Sequence, residues 1–338
     1  MPAPAADALV RWPEDFGRRF TLFVDTEEEF DWSRPPARDA RQVSAVAALP
    51  VAHRRLRSMG VEATYMVDHP VVADARAAAL ISGMLGEGGA AIGAQLHPWV
   101  NPPFWDGAGP GGTYPGNLPR SVEAAKIDVL TGAIERALGR QPRAYRAGRY
   151  GIGPSTAALL VERGYRLDSS VRARYDYRRD GGPDFRAVGS RAYRTGPDGA
   201  LVELPLTTVF TGRWRGAGGH WHGLAGRVPH GRGLLARLRL VNRVALTPED
   251  MPAGDVVEAV RIAAGEGLAL LNLSFHSPSL VPGHTPYVRD AGDLARFWRW
   301  WDVVLDALDA ADYRSASVDE VIAAAGRARY RGSRGAGL

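Results

Sequence analysis

A chain of 338 residues, 45% hydrophobic and 23% charged, has the composition of a globular protein that buries a sizeable core, and its length suits one large α/β barrel or two ordinary domains. The net charge of +5 comes almost wholly from arginine, since Lys126 is the sole lysine. These arginines are dispersed rather than interleaved with aromatics on one element, which argues against a nucleic-acid partner, and the absence of cysteine excludes disulfides, thiolate metal sites and cysteine nucleophiles.

The first twenty residues contain Asp7, Glu14 and Asp15 and do not read as a secretory signal. No stretch approaches the ~18 apolar residues of a membrane span, so a cytoplasmic location without a membrane span is the expectation. Six strand candidates follow one another: Phe20 to Asp25, Val61 to Val67, Ala90 to Leu96, Ala144 to Arg146, Tyr165 to Val171 and Leu268 to His276. Segments with helical apolar spacing lie between them, among them Ser121 to Leu138, Pro154 to Arg163, Gly254 to Ala264 and Leu294 to Ala310. Strands and helices taking turns predict a mostly parallel sheet.

Two regions break the rhythm. Pro98 to Pro119, dense in proline and glycine, predicts a long loop that shapes a site. Arg186 to Pro252 predicts a pair of antiparallel strands followed by a Gly-, Arg- and Trp-rich insertion with a short basic helix near Leu234 to Val241, which reads as a lid. The tail after Ala325 reads as a frayed terminus.

Asp25, His97, Arg146, Asp168 and His276 each fall at or just past the last part of a predicted strand. In a parallel barrel all strands present these ends on one face, so the five residues are expected to converge. Val24 to Trp32 ends a strand in five carboxylates across seven residues, a concentration that needs a cation or an arginine to offset it, or else full solvation. His97 sits beside rigid proline turns, where a hydrogen-bonded loop histidine is the plainer alternative. Arg146 and Arg149 are placed to clamp a carboxylate, or to form a surface ion pair. His276 emerges from the most hydrophobic run of the chain into Ser277-Pro278-Ser279, the setting of a general acid. Asp168 reads as its orienting partner, with turn formation as the alternative.

At TEEEFDW, HPW, YRAGRYG, LDSSV, SFHSPSL and PGHTPYV the chain resembles the polysaccharide deacetylases, the NodB-like carbohydrate esterases, and especially the branch associated with lipopolysaccharide and exopolysaccharide biosynthesis. The resemblance runs over residues 20–325, with residues 1–19 and 326–338 as terminal extensions and an insertion at about 186–252. It implies a distorted (β/α) barrel and a hydrolase that removes N-acetyl or related acyl groups from a sugar in a polysaccharide or its precursor. It further implies Asp25 as catalytic base, Arg146 as the arginine that holds it, His276 as general acid and Asp168 as the aspartate that tunes that acid. Glu27, one residue beyond the family's usual second aspartate, and His97 would hold a divalent metal ion, zinc or similar. The family's histidine pair is incomplete, with Asn101 four residues after His97 and Gln95 in the alternative register. Trp99, Tyr150, His284 and Tyr287 would line the saccharide site. Three other readings stay open: a metal-independent hydrolase of a small cyclic amide or imide, a glycosidase using two acidic residues, and a non-catalytic glycan-binding protein.

Overall fold

The computed structural model describes residues 1–107 and 109–334. Its strands are β1 (Arg18–Thr26), β2 (Ala63–Val67), β3 (Ala90–Leu96), β4 (Ala144–Ala147), β5 (Leu167–Asp168), β6 (Tyr193–Thr195), β7 (Leu201–Glu203), β8 (Thr208–Thr211), β9 (Asn242–Ala245), β10 (Leu270–His276) and β11 (Tyr313–Ser315). The α-helices are α1 (Leu49–Ser58), α2 (His69–Ala73), α3 (Ala75–Glu87), α4 (Arg120–Leu138), α5 (Thr156–Glu162), α6 (Gly218–Ala225), α7 (Gly231–Arg237), α8 (Ala253–Gly265), α9 (Ala291–Ala310) and α10 (Val318–Arg334). All six predicted strands and the four named helices are present, and β11 is an additional strand beside β1.

The main sheet runs β10-β1-β2-β3-β4-β5-β7-β6, parallel except for the antiparallel β6–β7 pair. It curls into a distorted barrel. The opening towards β10 is bridged by the irregular chain that follows β7: Leu206 N donates to Val171 O at 2.8 Å, Thr207 N to Asn272 O at 3.1 Å, and Asn272 N to Thr207 Oγ1 at 2.8 Å.

The two-residue period of a strand sorts the side chains. Leu22 and Val24 of β1 face the helices and join the large outer core, whereas Phe23 joins Met66, Ala144, Leu167, Val202 and Leu270 inside the barrel. Asp25 continues the inner parity above Phe23, and Arg146 continues that of Ala144, its guanidinium 5.2 Å from the Phe23 ring. Gly93 is glycine for a packing reason: a Cβ there would lie 2.3 Å from Met66 Sδ. Burial of the outer core, at roughly 25 cal/mol per Å² of apolar surface, is the main force closing the layers.

Two expectations about the periphery are corrected. The 186–252 insertion is not a lid: β8 and β9 form a two-stranded antiparallel sheet, α8 packs on β8, and no residue of 186–252 lines the cavity described below. Thr207 and Leu246, which hydrogen-bond into β10, tie the insertion to the barrel flank, so that it does not arch over the mouth. The tail is not frayed after Ala325, since α10 runs to Arg334; Val321, Ala324 and Ala325 are buried in the inner core, which favours continuing the helix, and residues 335–338 lie outside the described residues. The N-terminal segment is also fastened, with Val10 N donating to Ala192 O at 2.9 Å. Among the described residues no helix is long and apolar enough to cross a membrane.

Candidate active site

A cavity of about 320 Å³ opens at the C-terminal ends of the strands, lined by Asp25, Glu27, Gln95, His97, Arg146 and His276 together with an aromatic wall that includes Trp32, Trp99, Tyr114, Tyr150, Tyr177 and Tyr287. Neighbouring parallel strands bring its two halves together, because Asp25 of β1 stands in register with His276 of β10. Asp25 Oδ2 lies 3.7 Å from His276 Nε2, and Asp25 Oδ1 accepts from Arg146 Nη1 at 2.6 Å. Arg146 is itself fixed, donating from Nε to Ser169 O at 3.0 Å and from Nη2 to Ser169 Oγ at 2.9 Å. The guanidinium therefore aims and neutralises a carboxylate that has left water.

His276 is held by a residue the motifs do not point to. Its Nδ1 donates to Glu249 Oε2 at 2.6 Å and its backbone N to Glu249 Oε1 at 3.0 Å, and Ser279 Oγ donates to the same carboxylate at 2.5 Å. Burial alone pushes the imidazole's pKa down, but the charges of Glu249 and Glu27 and the Glu249 hydrogen bond overcome it and raise the pKa to about 10. At neutral pH the ring carries a proton it can deliver through Nε2.

The expected Asp168–His276 contact is not made. Asp168 is in register with Tyr145, whose ring belongs to the outer core, so on β5 it is Leu167 that faces the barrel while Asp168 points to the helix layer. There Asp168 accepts from Ser170 Oγ and lies against Glu203. Burial raises Asp168 to about 6 and Glu203 well above the carboxylate range, so the pair holds a proton between them. Accordingly, Glu249→Gln should cut turnover by ~10²-fold and pull the descending limb of the pH profile down from about 10 towards the ordinary value of 6.5, whereas Asp168→Asn should leave that limb in place. A profile moved by Asp168→Asn and indifferent to Glu249→Gln would reverse the assignment.

The first acidic segment divides into two roles. Glu28 turns away from the cavity: its Oε1 accepts from Trp99 Nε1 at 2.6 Å, its Oε2 from His97 Nδ1 at 2.7 Å, and its backbone N donates to Asp68 Oδ2 at 2.9 Å. Glu28, Asp68 and His97 are buried, with ligand atoms all within 4.8 Å of one another, and could hold a cation. Their oxygens are already engaged, however, the remaining Asp68 Oδ1 accepting from Val71 N at 3.0 Å. Burial raises both acids, which favours a shared proton.

Glu27 faces the cavity. Gln95 Nε2 donates to Glu27 Oε2 at 2.9 Å, and His97 Nε2 is 3.5 Å from that oxygen. Because Nδ1 of His97 donates to Glu28, its Nε2 is the accepting nitrogen, and Gln95 Nε2 donates to it at 3.2 Å. Glu27 Oε1 and Gln95 Oε1 are buried without any hydrogen-bond partner. Burial lifts Glu27 to about 8. Two unsatisfied oxygens, beside an imidazole nitrogen whose one bond in the cavity comes from the Gln95 amide, are a donor set that fits the divalent ion implied by the family resemblance once that amide turns aside. Asn101, by contrast, donates to Pro102 O at 2.6 Å and Lys126 O at 3.0 Å, buried under the loop and outside the cavity lining.

Trp99, Tyr150 and Tyr287 line the cavity as expected, and Trp99 also stacks on His97 at 4.3 Å. His284 does not: its Nδ1 lies 3.3 Å from Glu29 Oε2, pairing that histidine with the last of the three consecutive glutamates and leaving it outside the lining. Glu249, Asp68, Trp32 and Arg172 are site neighbours that the sequence reading does not single out, whereas Arg149, read there as a carboxylate clamp, lines the cavity. For the first two a signal existed, since Asp68 directly follows β2 and Glu249 follows β9 after three intervening residues.

No family model matches the sequence, and no curated protein matches it. Solved structures do match. A candidate polysaccharide deacetylase from Mycobacterium smegmatis aligns over 98% of this chain and 96% of its own at 17% identity with a TM-score of 0.56. A 4-α-glucanotransferase from Thermococcus litoralis aligns over 91% of this chain at 11% identity with a TM-score of 0.51, this chain spanning 40% of that one. A family 4 carbohydrate esterase from Streptomyces lividans, in complex with acetate, aligns over 90% of this chain and 94% of its own at 12% identity with a TM-score of 0.43. With its parallel strands, irregular closure and strand-end cavity, the chain has the distorted (β/α) barrel fold found in the polysaccharide deacetylase-like structure from Mycobacterium smegmatis.

Proposed function

We propose that the protein is a hydrolase that removes N-acetyl or related acyl groups from a sugar of a polysaccharide or its precursor. The observation that carries this reading is the opposition of Asp25 and His276 across one cavity, each backed by its own counter-charge, Arg146 and Glu249. Asp25 takes the proton of the attacking water. The new carbon–oxygen bond forms at the acyl carbon, and His276 protonates the departing nitrogen as the carbon–nitrogen bond breaks, leaving acetate and a free amine. Such acid and base groups typically contribute ~10²- to 10⁴-fold each. Glu27 and His97, with Gln95 Oε1, would hold the divalent ion, zinc or similar, which when bound acidifies a nearby water and polarises the acyl oxygen. Tyr150, Trp99 and Tyr287 supply the apolar faces against which a sugar ring packs.

The test is acetate release from N-acetylated oligosaccharides, measured before and after chelation and again after re-addition of the ion. Loss and recovery support the reading. Chelation-insensitive turnover of a cyclic amide, with no acetate from any saccharide, would replace it with the metal-independent alternative, for which the glutamine at position 95 speaks.

Stability should report the same site. In chelator-treated protein, Glu27 and His276 keep protons that the unfolded chain loses earlier, Glu27 between 4.5 and about 8 and His276 between 6.5 and about 10. The folded state therefore binds more protons across this range, and stability falls as pH rises: the stabilisation from His276 is complete below 6.5 and is lost through about 10, while the penalty of ionising buried Glu27 accrues from 4.5 to about 8. Glu27→Gln should flatten the lower part of this slope, and zinc should raise the melting temperature of the parent but not of Glu27→Gln. Equal zinc-induced shifts in both proteins would remove Glu27 from the ligand set.

A further inference from the structure

We propose that the cavity contains a subsite for an anionic group carried by the saccharide, formed by Arg172 and Arg149, so that the substrate is an acidic rather than a neutral glycan. The inference rests on the reading of this cavity as a saccharide site and adds the chemistry of the sugar. Both arginines line the cavity, and among the described residues neither forms an ion pair with an acid. Arg172 lies 4.0 Å over the Tyr175 ring and 5.6 Å from that of Tyr150, with Tyr177 also beside its charge. Its Nε and the Tyr177 hydroxyl are buried and have no hydrogen-bond partner beyond the contact between these two side chains. A buried guanidinium whose neighbour is a neutral hydroxyl rather than an acid keeps donors and an uncompensated charge that an anionic ligand in the cavity completes. The acids that share this region, Asp180 on the cavity wall and Asp250, which feels the charge of Arg172, stay beyond ion-pair distance of that arginine.

Arg149 is held just as deliberately. It lies 4.3 Å over the Tyr114 ring and donates to Thr113 Oγ1 at 2.5 Å. Arg149 and Tyr150 occupy consecutive left-handed conformations, φ 55° and 58°, a geometry that non-glycine residues adopt at a cost and that concentrates at functional sites. The loop has no room to relax backwards, since a Cβ on Gly148 would lie 2.7 Å from Leu96 O and one on Gly151 2.9 Å from Tyr114 Cα. Guanidinium groups stacked on tyrosines keep their edges available for a planar anion, which an ammonium would not match.

The experiment measures binding by calorimetry on the inactive His276→Gln variant, with an N-acetylated oligosaccharide containing uronic acids, the same oligosaccharide after reduction of its carboxylates to alcohols, and an N-acetylhexosamine 6-phosphate. The uronate form should bind about tenfold or more tightly than its reduced counterpart. Added Arg172→Gln should erase that difference. Arg149→Asn, which keeps a residue tolerant of the left-handed backbone, should reduce it, and Arg172→Lys should retain part of it, excluding collapse of the tyrosine cluster as the cause. A preference for the phosphate alone assigns the subsite to a phosphosugar. Equal affinity for all three ligands, or a preference that survives both arginine substitutions, overturns the inference. Preferential binding of the acidic ligand with no acetate released by the parent enzyme would leave the subsite standing and overturn deacetylation instead.

Discussion

Asp25→Asn and His276→Gln should each lower acetate release by ~10³-fold or more while leaving the far-ultraviolet circular dichroism spectrum unchanged. The two groups lie on adjacent strands with 3.7 Å between them and, in the proposed reaction, serve opposite ends of one displacement, so the double variant should be little worse than either single one. Non-additivity of this kind is what distinguishes one catalytic unit from two independent contacts. Because Asn preserves the shape of Asp25 and can still accept from Arg146, folding should survive. Unfolding of both variants, or residual turnover within tenfold of the parent, would return Asp25 and His276 to structural duty.

The largest effect on stability should come from the other side of the same carboxylate. Arg146→Met should cost about 3–5 kcal/mol in urea unfolding, because it strands Asp25 without a counter-charge at the centre of the barrel mouth. The Arg146 and Asp25 side chains are only 1% and 3% exposed, so water does not compensate. The same substitution removes both bonds to Ser169 and loosens the link from β4 to β5. Adding Asp25→Asn to Arg146→Met should recover much of the loss, since the penalty lies in the unpaired charge and the deleted bonds are the smaller part. A loss below about 1 kcal/mol in the single variant would show that the pair is solvated in solution.

What could be read from residues alone was set by period and position. FTLFVD and LALLNLSFH are hydrophobic runs ending in an ionisable residue, and parallel strands bring such ends to one face, so Asp25, Arg146 and His276 could be placed together without coordinates. The same logic, applied without attention to parity, put Asp168 at the mouth. Its side chain points outward because Leu167 points in, a distinction that depends on the register of β5 against β4.

The acid partner of His276 had no local signal beyond following a short strand. Glu249 arrives through Thr247 and Pro248 after an insertion that bridges the barrel gap, and only long-range closure decides that this turn ends beside β10. Likewise, three consecutive glutamates are equivalent as sequence. Backbone geometry sends Glu27 into the cavity, Glu28 onto His97 and Trp99, and Glu29 towards His284. The sequence by itself determined which strands form and which residues stand at their ends, because those follow from local apolar spacing; the tertiary structure alone decided which face each end residue presents and which distant carboxylate meets it, because these depend on pairing register and barrel closure.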